Sequence, residues 1–150
     1  MAHRDGDGWI QCQCGGKHWG IFGAAGLVLV RDQSILLQHR APWVHNGDTW
    51  GIPGGARDSH ESPLEAALRE ANEEIGIEIN LVTAVDEFVD DHKSWSYHTI
   101  IAKADPALIA HEMNDESLEV KWIPINEIEN QKLHPSFANT WAKLREKLIL

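Results

Sequence analysis

No apolar run in this chain approaches the ~20 residues that a membrane-spanning helix needs. None follows the charged N-terminus (MAHRDGDGW) in the way a secretory signal would. Neither membrane insertion nor export is expected, and cytoplasmic residence is the default. Basic residues are scarce: 13 Lys and Arg against 23 Asp and Glu leave a net charge of −10. That balance argues against a surface built to track a nucleic-acid polymer. A small polyphosphate is a different matter, because divalent cations can neutralise both sides. Cysteine is nearly absent. Cys12 and Cys14 stand one residue apart, where they cannot readily bond to each other, and with His18 they fall short of a structural zinc set. The stretch QCQCGGKHWG therefore reads as a strand or turn that packs Trp9 and Trp19 onto the rest, its thiols reduced; a metal is the alternative. Repeats, low-complexity tracts and linkers are missing too. The 150 residues read as one domain with a sizeable core, residues 1–20 being an extension packed on it.

What is present in unusual density is carboxylate, and it is concentrated in Gly54–Ile77, GGARDSHESPLEAALREANEEIGI. On a helix Glu70, Glu73 and Glu74 lie at i, i+3 and i+4, so their charges share one face. Each like-charged pair costs an isolated helix roughly 0.2–0.5 kcal/mol. Such a cluster calls for a cation, and a hard divalent ion takes oxygen ligands while keeping places for substrate phosphates. The surrounding residues build a helix around it. Ser62 is placed as N-cap, Glu65 completes a capping box, Pro63 takes the first helical position, and Gly76 stops the helix. Leu64, Ala67, Leu68, Ala71 and Ile75 form an apolar stripe roughly a third of a turn from the carboxylates, at about 100° per residue. The carboxylates then stand at the rim of the core beside a cleft, with small Ala66 on their side leaving room for a ligand.

Gly55, Glu61, Arg69-Glu70, Glu73-Glu74 and Gly76-Ile77 resemble the Nudix box, G-x5-E-x7-R-E-U-x-E-E-x-G-U, with U a bulky aliphatic residue. The one departure is Ala71, smaller than the usual first U. The resemblance implies a Nudix-type α/β/α sandwich with a mixed β-sheet over residues 20–148. It further implies Mg²⁺, or Mn²⁺, held by Glu70, Glu73, Glu74 and the Gly54 carbonyl, with Glu70 favoured as the base-like residue. Arg69 and Glu61, beside Gly55, become partners that orient the cluster. Relatives often add an acidic ligand from a later loop, for which Glu116 and Glu119 are the candidates and Glu116 is preferred. Arg40 lies where MutT-like relatives often carry a phosphate-binding Arg, the alternative being a surface Arg at a strand end.

Along the rest of the chain, residues 21–30 (IFGAAGLVLV) read as a buried strand. Arg31-Asp32-Gln33 is a turn and 34–40 a second strand, followed by a loop over 41–49 and an extended piece at 50–53. One or two strands follow in 77–90, a turn at 91–94, then strands over 95–103 and 118–125. A short helix at 126–130 precedes a last one, capped by Ser136, with a stripe of Phe137, Trp141, Leu144 and Leu148. Strands enclosing a helix, with a second helix closing the chain, indicate an α/β sandwich.

LLQHRAPW, DTWGIPGGARDSHESP, ESLEVKW and LHPSFANTW resemble MutT-type proteins that cleanse nucleotide pools. That resemblance implies pyrophosphatase action on (d)NTPs, including oxidised ones such as 8-oxo-dGTP, giving monophosphate and pyrophosphate. Trp43, Tyr97 and Phe137, with His134 and Asn139, are the candidates for the base pocket, and no spacing rule chooses among them. The same box serves hydrolysis of NDP-sugars or dinucleoside polyphosphates, which is the alternative substrate class. A non-catalytic Nudix-like nucleotide-binding regulatory domain is the alternative of another kind, although such domains usually lose box carboxylates and this chain keeps all three. Oligomeric state stays open between monomer and homodimer.

Overall fold

The computed structural model describes residues 4–148. Asp32 and Gln33 both take positive φ, 50° and 64°, the backbone that a tight two-residue hairpin needs to match strand twist. They join β3 (Ala24–Arg31) to β4 (Ser34–Arg40), the spine of a seven-stranded mixed sheet. Parallel to β3 runs β8 (Ser96–Ala104), with β7 (Val82–Asp91) antiparallel on its outer side. On the other side β9 (Ser117–Pro124) and β5 (Trp50–Gly51) pair with β4. Past its turn-proximal end β3 leaves β4 and pairs instead with β6 (Gly54–Ala56). The two central strands therefore splay, and the site lies in the opening.

Strand alternation sorts the side chains. Ala25, Leu27, Leu29, Leu36, Ile100 and Ala102 face α1 (Pro63–Ile75), which answers with Ala66, Ala67, Ala71 and Ile75. Val28, Ile35, Leu37 and Ile101 face the other way, onto Phe137, Trp141 and Leu144 of α2 (Pro135–Leu148). Two apolar layers thus sandwich the sheet between helices, as the sequence pattern predicts. The run of alanines brings α1 close against β3, which gives the small Ala71 a packing role in this chain. No helix of the described residues is long and apolar enough to cross a membrane.

Several local expectations are corrected. Ala66 does not border a ligand; it is fully buried in the α1-side core. Ile21 and Phe22 precede the strand rather than opening it, 45% and 41% exposed in a turn flanked by Gly20 and Gly23, both at positive φ. The last helix starts at Pro135, and His134 accepts the Ser136 N–H at Nδ1, so Ser136 lies inside the helix rather than capping it. The N-terminal stretch forms a separate hairpin, β1 (Trp9–Gln11) with β2 (Lys17–Trp19). Trp9 and Trp19 meet edge to face at 5.3 Å and stay half exposed, and the Trp19 carbonyl accepts the Trp95 indole N–H.

Candidate active site

The α1 N-terminus is anchored as its sequence dictates. Ser62 Oγ accepts the Glu65 N–H at 3.1 Å while the Glu65 carboxylate accepts the Ser62 N–H at 2.9 Å. At the other end Gly76 adopts φ 67° and returns its N–H to the Asn72 carbonyl. The rigid helix between projects Glu70 and Glu74 into the opening between β4 and β6.

Glu74 is held by two donors, the Gln38 side-chain amide at 3.1 Å and the Gly54 backbone N–H at 3.0 Å. Burial and the adjoining Glu70 charge push its carboxyl up to about 8. Gln38 follows Leu36 on the α1 face of β4, so strand alternation places it there. Its own Oε1 is buried without a partner. Glu70 packs directly over Gly55; a β-carbon at Gly55 would lie 2.6 Å from the Glu70 carboxyl carbon. Burial raises the Glu70 carboxyl as well, against the opposing pull of Arg69. Glu73 is the outermost of the three and meets the Arg4 guanidinium, which also reaches buried Asp58 at 3.3 Å.

Arg69 is the organiser. Its Nε and Nη2 donate to the two Glu61 oxygens at 2.7 and 2.8 Å, Nη2 to the Ala56 carbonyl at 3.0 Å, and Nη1 to Glu70 at 2.8 Å. A forked, charge-assisted contact of this kind fixes direction as well as distance. Glu61, itself buried, also accepts the Asp58 N–H at 2.9 Å. The Arg69 pairing holds its carboxyl below the usual range, and Arg69 is raised in return.

The donors suit a hard divalent cation. Carboxylate oxygens converge beside the Gly54 peptide, one carboxyl is buried without a countercharge of its own, and the Gln38 amide oxygen beside it is unpartnered. A pH dependence follows. Between the ordinary value of 4.5 and about 8 the folded chain keeps a proton on Glu74 that the unfolded chain releases. Cation-free protein therefore loses stability as pH rises through that window. Thermal melts in chelator should fall from pH 5 to pH 8, and saturating Mg²⁺ should flatten the decline. A chelated Tm independent of pH over that range would contradict the placement of Glu74.

A cleft of about 520 Å³ opens beside the cluster, reaching Gln38, Gly54 and Gly55 at its floor. Tyr97 crosses over Gly26, where a β-carbon would sit 2.1 Å from the phenol oxygen, and its hydroxyl comes near Gly54. Burial, and then the charges of Glu74 and Glu70, raise that phenol. Arg40 lines the cleft and braces the 41–49 loop by donating Nε and Nη2 to the His45 carbonyl at 3.2 and 2.8 Å. Phe137, His134 and Asn139 also line the cleft. Trp43 stands 66% exposed on the loop and is not among the lining residues. Glu116 is exposed, its carbonyl accepting the Ala41 N–H at 2.8 Å, and Glu119 is exposed on β9. Among the described residues neither carboxylate pairs with the cluster. Gln38, Trp9, His18, Trp19 and Trp95 also line the cleft, and Asp58 meets Arg4 beside Glu73, none of them singled out by the sequence pattern as a site residue. Alternation along β4 is the signal that locates Gln38; the others depend on long-range pairing.

A family model described as NUDIX domain matches residues 21–144. Over 94% of its length the chain is 45% identical to a Mycobacterium tuberculosis protein named as a candidate 8-oxo-dGTP diphosphatase 3, of which it covers 70%. It is 40% identical, over 98% of its length, to a nucleoside triphosphate pyrophosphatase/Nudix hydrolase fusion protein of Bifidobacterium longum, of which it spans only 32%. The crystal structure of a Nudix hydrolase from M. smegmatis, RenU, superposes with a TM-score of 0.85 at 41% identity, covering 95% of both chains.

Proposed function

The chain belongs to the Nudix hydrolase family, and from that premise we propose that it cleaves a phosphoanhydride bond of a (d)NTP, oxidised guanine nucleotides such as 8-oxo-dGTP included, releasing monophosphate and pyrophosphate. One observation carries the reading: Glu70 and Glu74 meet the Gly54–Gly55 backbone, and that backbone borders a cleft lined by aromatic rings and Arg40. The names of the 45%-identical mycobacterial relative and of the Bifidobacterium fusion protein point the same way.

Glu70, Glu73, Glu74 and the Gly54 carbonyl would hold Mg²⁺ or Mn²⁺. When bound, such an ion neutralises charge on the phosphate oxygens and acidifies water. Glu70 receives the proton of the attacking water, and Arg69 and Glu61 keep its carboxylate aimed. Arg40 faces the outer phosphates, while Tyr97 and Phe137 offer ring surface to the base. Trp43 closes over the entrance only if its loop folds inward. Cytoplasmic residence fits a role in nucleotide-pool sanitation. Domain limits of 1–150, residues 1–20 forming the extension, complete the reading.

A substrate panel tests it. With Mg²⁺, and separately with Mn²⁺, 8-oxo-dGTP and ordinary (d)NTPs should give pyrophosphate directly. Strong preference for an NDP-sugar or a dinucleoside polyphosphate would overturn the substrate class and leave the site intact. Failure to turn over any phosphoanhydride would support a regulatory binding domain instead.

A further inference from the structure

The β1–β2 hairpin, on the outer wall of the cleft, carries a cluster apart from the Glu70, Glu73 and Glu74 carboxylates. Cys12, Cys14 and His18 bring two sulfurs and an imidazole nitrogen within 4.8 Å of one another. Cys14 Sγ lies 3.1 Å from His18 Nε2, and the Cys14 N–H points at Cys12 Sγ from 3.5 Å. The chain is turned to achieve this. Gly15, at φ 93°, returns its N–H to the Cys12 carbonyl, and the Cys12 N–H donates to the Gly16 carbonyl at 2.9 Å. The His18 ring is held flat against Trp95, 4.1 Å between centroids with planes 8° apart.

A second imidazole lies beside these three donors, from a segment 80 residues further along. The turn after β7 places the His92 ring 4.8 Å from that of His18, and Cys12 Sγ touches the His92 carbonyl at 3.0 Å. His92 Nε2 is engaged by Asp90 at 3.0 Å, the carboxylate–imidazole pairing that fixes a ligand's tautomer and leaves Nδ1 to ligate. Two three-residue strands with both tryptophans half exposed bury little apolar surface. Such a hairpin is marginal alone.

We propose that Cys12, Cys14, His18 and His92 form a structural zinc site that pins the β1–β2 hairpin to the β7–β8 turn. Two sulfurs and two imidazoles are the donor set that tetrahedral Zn²⁺ takes. Thiolates select it over the hard ions preferred by Glu70, Glu73 and Glu74. Binding releases both thiol protons, so the Cys12 contact to the His92 carbonyl opens as the ion enters. The hairpin supplies Trp9, His18 and Trp19 to the cleft wall, and the ion fixes that wall in place.

Cobalt substitution of the full chain, purified in reductant, decides the matter. Co²⁺ should develop thiolate-to-cobalt charge transfer and the visible bands of a tetrahedral site, and zinc should displace it. Cys14 is exposed, so Cys14→Ser should keep the fold and lose both signals. Glu70→Gln should retain them. His92→Ala should weaken zinc by at least the roughly 10–100-fold expected of a supporting partner. Spectra with oxygen ligands only, or equal zinc content in wild type and Cys14→Ser, would overturn the site; unchanged zinc affinity in His92→Ala would overturn the fourth ligand.

Discussion

Glu70→Gln should lower kcat for (d)NTP hydrolysis by about 10²–10⁴-fold, the range that a positioned general base contributes, while the chain stays folded. The amide preserves the shape of a side chain packed over Gly55, so no cavity opens and no backbone moves. What disappears is a proton acceptor beside the cleft and one carboxylate oxygen for the cation. Cation-free, the variant should melt at or above the wild-type temperature, because a largely buried charge that burial already disfavours has been removed. Steady-state kinetics and a chelated thermal melt separate the two effects. Loss of activity together with loss of fold would mean that Glu70 is structural first.

Arg69→Ala should produce the largest loss of stability of any single change in the site. The side chain leaves Glu61 buried with its charge unanswered, and removing one partner of a buried ion pair costs about 3–5 kcal/mol. For a chain of this size that corresponds to roughly 6–20 °C in Tm. The Ala56 carbonyl and Glu70 lose their donors in the same step. Activity should therefore drop even at temperatures where the variant is folded, since Glu70 is no longer aimed. Arg69→Lys should not restore it, because one ammonium cannot span both Glu61 oxygens as the guanidinium fork does. Calorimetry and kinetics at low temperature check both parts. A melt unchanged within 1 °C would show that Glu61 finds another partner.

The α1 helix was legible at its two ends because the signals there are local, whereas Leu64, expected on the apolar stripe, is 37% exposed in the first turn. A capping box, a Pro at the first position and a terminating Gly each act within one turn, and all three form as read. The sandwich was legible because strands that enclose one helix and precede another call for helices packed on a sheet, and the continuous apolar run of β3 is buried on both faces. Ala66 was misread because a helical wheel shows which side a residue faces but not what covers that side. Ala66 is covered by the core it shares with Ala25, Leu27 and Leu29 of β3. Glu116 illustrates a related limit: distance along the chain does not say whether a loop turns its carboxylate inward. The aromatic wall was hidden for the same reason. Trp19 and Trp95 meet through a hydrogen bond from the Trp95 indole to the Trp19 carbonyl at 3.3 Å, across 76 residues.

Electron paramagnetic resonance of Mn²⁺ titrated into the wild type and into Glu73→Gln, Glu74→Gln and Glu70→Gln tests the carboxylate cluster most directly. The wild type should remove free Mn²⁺ from solution as a bound species that Mg²⁺ displaces, and each substitution should weaken that binding. Equal Mn²⁺ binding by all four proteins would contradict the assignment of these carboxylates as the cation site on which the proposed hydrolysis depends.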